Sequence, residues 1–202
     1  MLNLRRSLEG GFSLIEVMVV VTIMGLLLVA GLPTIFDGVR DARVREAADS
    51  VVAGLRVAQS ESLKRNSTFR FQMVTSLSDA CAISNTGQAW VVSAGNATSK
   101  CHLSDPVADP FPMRKEGALL NTDIQLQAGT SGVVCFSGLG RPTTSPTGCN
   151  TVLAETIDVK PATAVCKADG GETRCLRVVV TTAGSVRMCD PAVTSAQDPR
   201  IC

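Results

Sequence analysis

Hydrophobic positions divide the chain into three regions of different pattern. Residues 1–11 are short and polar and carry Arg5 and Arg6. From Phe12 to Phe36 nearly every position is apolar, and Glu16 is the sole ionisable residue of the run. A helix rises about 1.5 Å per residue, so a run of this length can cross a hydrocarbon core of about 30 Å. Basic residues ahead of it and none inside predict a cytoplasmic amino terminus and an exported remainder. A cleavable secretory signal has a shorter apolar core, and Ala30-Gly31-Leu32 makes a poor cleavage site for one. In residues 37–66 the pattern changes to spacings of three and four. Val44, Ala47, Ala48, Val51, Leu55, Ala58 and Ser62 or Leu63 form one apolar stripe, with Arg40, Arg43, Arg56 and Lys64 mostly off it. The whole predicts one helix from about Phe12 to about Arg65, apolar all round in its first half and on one side in its second. Gly31 and Pro33 fall within it. Proline removes a backbone hydrogen bond and crowds the preceding turn, so a bend or local melting is expected there.

Beyond Asn66 the spacing shortens to that of strands: Thr68–Val74, Ala89–Ser93, Ile124–Gln127, Val133–Phe136, Thr156–Val159, Leu176–Thr182 and Ser185–Met188. Gly, Pro, Asn and Asp clusters, such as Pro106 to Pro112 and Gly138 to Gly148, separate them. The fold class is therefore α+β, a long helix packed on an antiparallel sheet that covers its stripe. The expected organisation is a leader at 1–11, an apolar helical half at 12–36, an amphipathic half at 37–66 and a β-rich domain at 67–202.

Composition narrows the function. The 202 residues carry 19 Lys+Arg and 18 Asp+Glu, a net charge of +1, which gives no bulk attraction to nucleic acid. All eight cysteines lie between Cys81 and Cys202, which points to a disulfide-stapled domain in an oxidising compartment. No C-x-x-C occurs, and His102 is the single histidine, so redox and zinc-ribbon spacings are missing. Spacing leaves the connectivity open. A local pairing, Cys81–Cys101, Cys135–Cys149, Cys166–Cys175 and Cys189–Cys202, encloses turn formers in each loop. Closing a loop of about 10–20 residues contributes on the order of 3 kcal/mol in the chain-entropy model.

An enzyme is not expected. A serine triad would have to use His102 beside Cys101, and Asp105, Asp109 and Glu116 are not paired at helical spacing. The loop from Gly138 to Gly148 lacks the G-K-[ST] ending of a phosphate loop. Trp90 is read as a core residue. No metal or other cofactor is expected.

The most specific stretch is Gly11-Phe12-Ser13-Leu14-Ile15-Glu16. It resembles the processing site of type IV prepilins and type II secretion pseudopilins, and it is followed, as in that family, by an apolar helix. Pro33 stands where many members carry a helix-kinking proline. The resemblance implies cleavage between Gly11 and Phe12 by a prepilin peptidase and methylation of the new Phe12 amine. A glycine lets extended backbone enter a protease cleft closely. It also implies that Glu16, costly in lipid by about 2–3.5 kcal/mol at a helix centre, pairs with the terminal ammonium of a neighbouring subunit. The implied partners are other major and minor pilins through the helix, the peptidase, and inner-membrane lipid before assembly. The implied location is a single-pass inner-membrane protein with its carboxyl-terminal domain in the periplasm, later a pilus or pseudopilus.

Further along, the segment from Ala48 to Asn66, with Ala58-Gln59-Ser60-Glu61-Ser62 at its centre, resembles the FimT/FimU/GspH branch. The stretches 133–141 and 176–189 resemble that branch loosely, and residues 77–132 match nothing in it. The implied role is a minor pilin that enters or primes the filament, near its tip; a GspH-kind pseudopilin and a DNA-binding pilin for natural transformation are the alternatives. Some members of the FimT kind bind DNA through a G-R-x-R stretch. Here the corresponding residues are Gly184-Ser185-Val186-Arg187, so the first arginine is replaced by Ser185. Arg174, Arg177, Arg187 and Arg200 are the candidate contacts. Asp169, Glu172, Asp190 and Asp198 interleave with them and weaken the field, so nucleic acid is not the favoured partner.

Overall fold

The computed structural model describes the chain apart from residues 1–11, 105–108, 110–111, 118–122 and 151 and the side chains of 29–37 and 113. Two compact units result, Met1–Val39 and Arg40–Cys202. One helix, α1 (Leu14–Arg65), carries the first unit and continues into the second. Its assignment runs unbroken across Gly31 and Pro33, so the backbone does not melt there; the side chains at that point lie outside the described residues. Asn66, at φ 46°, takes the left-handed turn that ends the helix, and the Ser67 amide donates back to the Ser62 carbonyl at 3.2 Å.

The second unit sets the helix against two antiparallel sheets where a single sheet was expected. β1 (Phe69–Val74), β3 (Ala89–Ser93), β4 (Pro112–Glu116) and β6 (Val133–Phe136) form the first, in the order β4-β3-β1-β6. β2 (Thr86–Gly87), β5 (Ile124–Ala128), β7 (Glu155–Pro161), β8 (Leu176–Val180) and β9 (Val186–Cys189) form the second, in the order β2-β5-β7-β8-β9. The chain crosses between the sheets more than once, and one crossing is the turn between β5 and β6. These strands are consecutive in the chain but do not pair. Gly132, at φ 70°, turns there, and a side chain on it would meet the Ser84 carbonyl oxygen at 2.4 Å. The buried Glu155 carboxylate holds the same turn. It accepts from the Thr130 amide at 3.1 Å, from the Thr130 hydroxyl, and from Asn150 Nδ2 at 2.9 Å.

β4 is a strand that the spacing of prolines had concealed. Pro112 reads as part of a loop, yet it opens β4 at the outer edge of the first sheet. An edge strand tolerates a residue with no N–H to donate. β2 is two residues long, too short to show a period.

One core joins the helix stripe to both sheets. Val44, Ala47, Ala48, Val51, Leu55 and Ala58 are buried in it, and Ser62 is buried while Leu63 points to solvent. Phe69, Phe71 and Met73 of β1, Trp90 and Val92 of β3, and Ile157 and Val159 of β7 face them. The second sheet keeps one wet side: β7 and β8 alternate between buried and half-buried positions. In the first sheet every residue of β1 and β3 is buried, because the chain also covers its outer face. There Val74, Ala89, Val91 and Ala97 pack with the Cys81–Cys101 disulfide in a second, smaller cluster. Gln72, buried on that face, donates to Ser93 Oγ at 2.8 Å and accepts from the Ala97 amide at 3.2 Å.

The closest approach of helix and sheet is at Gly54. A Cβ there would lie 2.8 Å from the Trp90 ring and 2.9 Å from the Phe71 ring. These rings meet at 5.4 Å between centroids, and the Trp90 indole N–H donates to Ser50 Oγ at 3.2 Å. Glycine inside a helix ordinarily costs about 1 kcal/mol against alanine, but here it admits two aromatic rings. Gly54→Ala is therefore expected to destabilise the domain by about 1–3 kcal/mol, the usual range for overpacking. Chemical denaturation of the two proteins followed by Trp90 fluorescence checks this; an equal or higher midpoint for the variant would refute it.

Candidate assembly surface

Between Phe12 and Leu28 the helix has no polar face. Every described side chain from Phe12 to Leu28 is exposed, including Phe12 at 81% and Leu26 at 69%. Phe12, Glu16 and Val20 recur at every fourth position and line a shallow groove with Val17 and Val21. Glu16 therefore shares a face with the residue at which processing would create a new terminus, one turn away. Thr22 satisfies its hydroxyl inside the helix by donating to the Met18 carbonyl at 2.7 Å, so Glu16 is the one strongly polar group on this surface between Phe12 and Leu28. Gly11 lies outside the described residues. Among the described residues no helix is long and apolar enough to cross a membrane; the side chains of 29–37, where the apolar run ends, are not among them.

The eight cysteines form four disulfides: Cys81–Cys101, Cys135–Cys149, Cys166–Cys175 and Cys189–Cys202. Each cysteine is joined to its neighbour along the chain, so each bond staples one loop. His102 is exposed and contributes its backbone carbonyl to Lys115 Nζ at 2.9 Å. Asp109 pairs with Lys100, Asp105 is outside the described residues, and Trp90 is fully buried. No group of three His, Cys, Asp or Glu able to hold a metal occurs among the described residues.

The four candidate arginines do not form a free patch. Arg177 grips Asp158 on the neighbouring strand through two bonds of 2.5 and 3.0 Å, and this bond raises its pKa above the usual arginine value. Arg174 Nε donates to Asp190 at 2.9 Å. Arg187 donates to the carbonyls of Ile201 and Cys202, each at 3.1 Å. Arg200 forms a fork on Asp198 at 3.0 and 2.6 Å. Each of the four is thus engaged within the domain.

The segments that carry the family resemblance meet at one side chain. Gln59 of α1 donates from Nε2 to the Gly140 carbonyl at 2.8 Å and to the Gly184 carbonyl at 3.0 Å. Gly184, at φ 90°, brings its backbone so close that a Cβ would stand 2.8 Å from the Gly140 oxygen. The helix, the 133–141 stretch and the 176–189 stretch are locked together there. Spacing alone had not singled out Gln59, Gly54 or Arg45, because their importance depends on what arrives across from them.

A family model described as "Type II transport protein GspH" matches residues 47–184, well over half of the chain. The chain belongs to the GspH family. A second model, for the prokaryotic N-terminal methylation motif, matches residues 6–32. No curated protein matches the chain. Among solved structures, the type IV minor pilin FimU of Pseudomonas aeruginosa is similar at a TM-score of 0.50 and 14% identity, covering 77% of this chain and 94% of that one. The same protein in a second crystal form gives 0.47 and 14%, over 75% and 97%. At this identity the likeness concerns the fold: a GspH-family chain folded as a pilin, with a long helix against antiparallel strands.

The Asp198–Arg200 fork has a measurable signature. The Arg200 side chain, and then its backbone N–H, lower the Asp198 carboxyl to about 2 from an ordinary value of 3.8. A depressed carboxyl favours the folded state above the ordinary value, and that contribution is lost as pH falls through about 2. In Arg200→Gln the Asp198 midpoint, followed by carboxyl NMR, is expected to rise toward 3.8. An unmoved midpoint would remove Arg200 as the cause.

Proposed function

We propose that this protein is a minor type IV pilin, a structural subunit that enters a pilus or primes its assembly near the tip. The observation that carries the reading is the helix surface from Phe12 to Leu28, apolar on every side and bearing one acid. Such a surface has no use in water, and it fits lipid first and other pilin helices afterwards. A prepilin peptidase would cut between Gly11 and Phe12 and methylate Phe12, keeping the apolar helix attached. The segment 12–36 would hold the protein in the inner membrane, with residues 67–202 in the periplasm. Pro33, with Gly31, would bend the helix as it packs. Glu16 would meet the amino terminus of an adjacent subunit, where a desolvated ion pair fixes the stagger of neighbouring helices.

A type II secretion pseudopilin is the second reading, supported by the family's own description. Both use the same helix physics in different machines. A DNA-uptake role is supported less well, since Arg174, Arg177, Arg187 and Arg200 are each taken up by partners in the domain.

Sequencing the amino end of the protein from its native host is expected to begin at an N-methylated Phe12; an intact leader, or a start beyond Phe12, would overturn the reading. Glu16→Ala is expected to be inserted and cleaved normally while its abundance in sheared filaments falls several-fold. Normal abundance, measured by quantitative immunoblotting, would sink the proposed ion pair.

A further inference from the structure

A cleft of about 310 Å³ opens between α1 and the carboxyl-terminal loop of the second unit. Arg45 from the helix, Arg174 from the loop just ahead of β8 and Arg200 from the tail line it, with Asp190 as the acid among the lining residues and Leu176 and Met188 among the apolar ones. Its outer wall is held in place. The Cys189–Cys202 disulfide closes the tail, the Asp190 amide donates to the Arg200 carbonyl at 2.8 Å, and Arg187 clasps the last two carbonyls.

The three guanidinium groups are not equivalent. Arg200 is forked on Asp198, and Arg174 uses its Nε–H on Asp190. Arg45 makes no hydrogen bond or ion pair among the described residues, and it stands exposed at the mouth of the cleft. A preorganised wall, an apolar lining and one uncommitted fork suit a single carboxylate, which arginine binds with paired N–H donors. They suit a polyanion poorly. Phosphate backbones need a row of uncompensated cations, and here Arg174 and Arg200 are already paired with Asp190 and Asp198, which leaves Arg45 alone among the cleft's arginines.

We propose that this cleft receives a carboxylate side chain from an acidic surface of another protein. On the filament reading given above, on which this identification of the partner rests, that protein is a neighbouring subunit. Docking an acid against Arg45 would orient the β domain relative to its neighbour, a task the apolar helix surface cannot perform because greasy packing is non-directional.

The test uses the full-length chain in detergent micelles and two labelled probes, an oligoglutamate peptide and a duplex DNA, read by fluorescence anisotropy at low and moderate salt. The wild type is expected to bind the peptide at least as tightly as the duplex. Arg45→Glu is expected to weaken peptide binding by about tenfold or more, while Arg56→Glu, an exposed arginine of the same helix outside the cleft, leaves it unchanged. No peptide binding by the wild type, or equal losses from both variants, would overturn the proposal. Tighter, Arg45-dependent binding of the duplex would overturn it in favour of a nucleic-acid surface. In the host, Arg45→Glu is expected to be cleaved normally yet depleted from filaments. If the wild type itself enters no filament while Arg45-dependent peptide binding persists, the filament reading and the named partner fall, and the carboxylate site stands.

Discussion

The contact between α1 and the two rings of Phe71 and Trp90 is the constraint on which the rest of the domain depends. Both rings sit against the helix backbone at Gly54, where any side chain would intrude. With the helix seated this low, Val51, Leu55 and Ala58 reach into both sheets at once. Two sheets that share no strand pairing then share one core. The Gln59 amide, one turn further on, bonds two loops that are distant from each other in sequence. A helix held an ångström higher would lose all of these contacts together, since cores are close-packed and do not stretch.

The same helix thus carries two kinds of surface. In the second unit its stripe of small and branched residues is buried by its own sheets. Between Phe12 and Leu28 its apolar residues are exposed on every side. Burial of the first stabilises the folded domain. On the proposed reading, the second is covered by lipid or by other helices, and one continuous element would serve both as the spine of the domain and as a means of assembly. The acid at Glu16 would then add what apolar packing lacks, a polar contact with a defined position.

Of the six phenylalanines in the chain, four lie in the β domain, beside its one tryptophan. Its four disulfides, each between successive cysteines, close one loop apiece, and Cys81–Cys101 itself packs in the smaller apolar cluster. Buried polar groups are treated in the same spirit: Gln72 and Glu155 each find several partners in segments remote from them. The arginines of the carboxyl-terminal third are mostly absorbed in this way, whereas Arg45 on the helix lines the cleft without a hydrogen bond or ion pair among the described residues.

Local regularities determined a good deal. A period of three and four placed the buried stripe, since helix geometry alone decides which residues share a face. Short β-prone runs between turn formers placed β1, β3, β5, β6, β7, β8 and β9 within a residue or two. The methylation motif could be read because it is a contiguous stretch of chain. Tertiary structure decided what depends on meetings between distant segments: that Ser62 and not Leu63 is buried, that Pro112 begins an edge strand, that the strands split into two sheets, and that Gly54 is a point of contact. It also decided that four interleaved arginines are held by nearby partners while a fifth, Arg45, is left facing a cleft. Charge order along a chain does not say which acid each base will meet, because partners are chosen by the fold across loops and sheets.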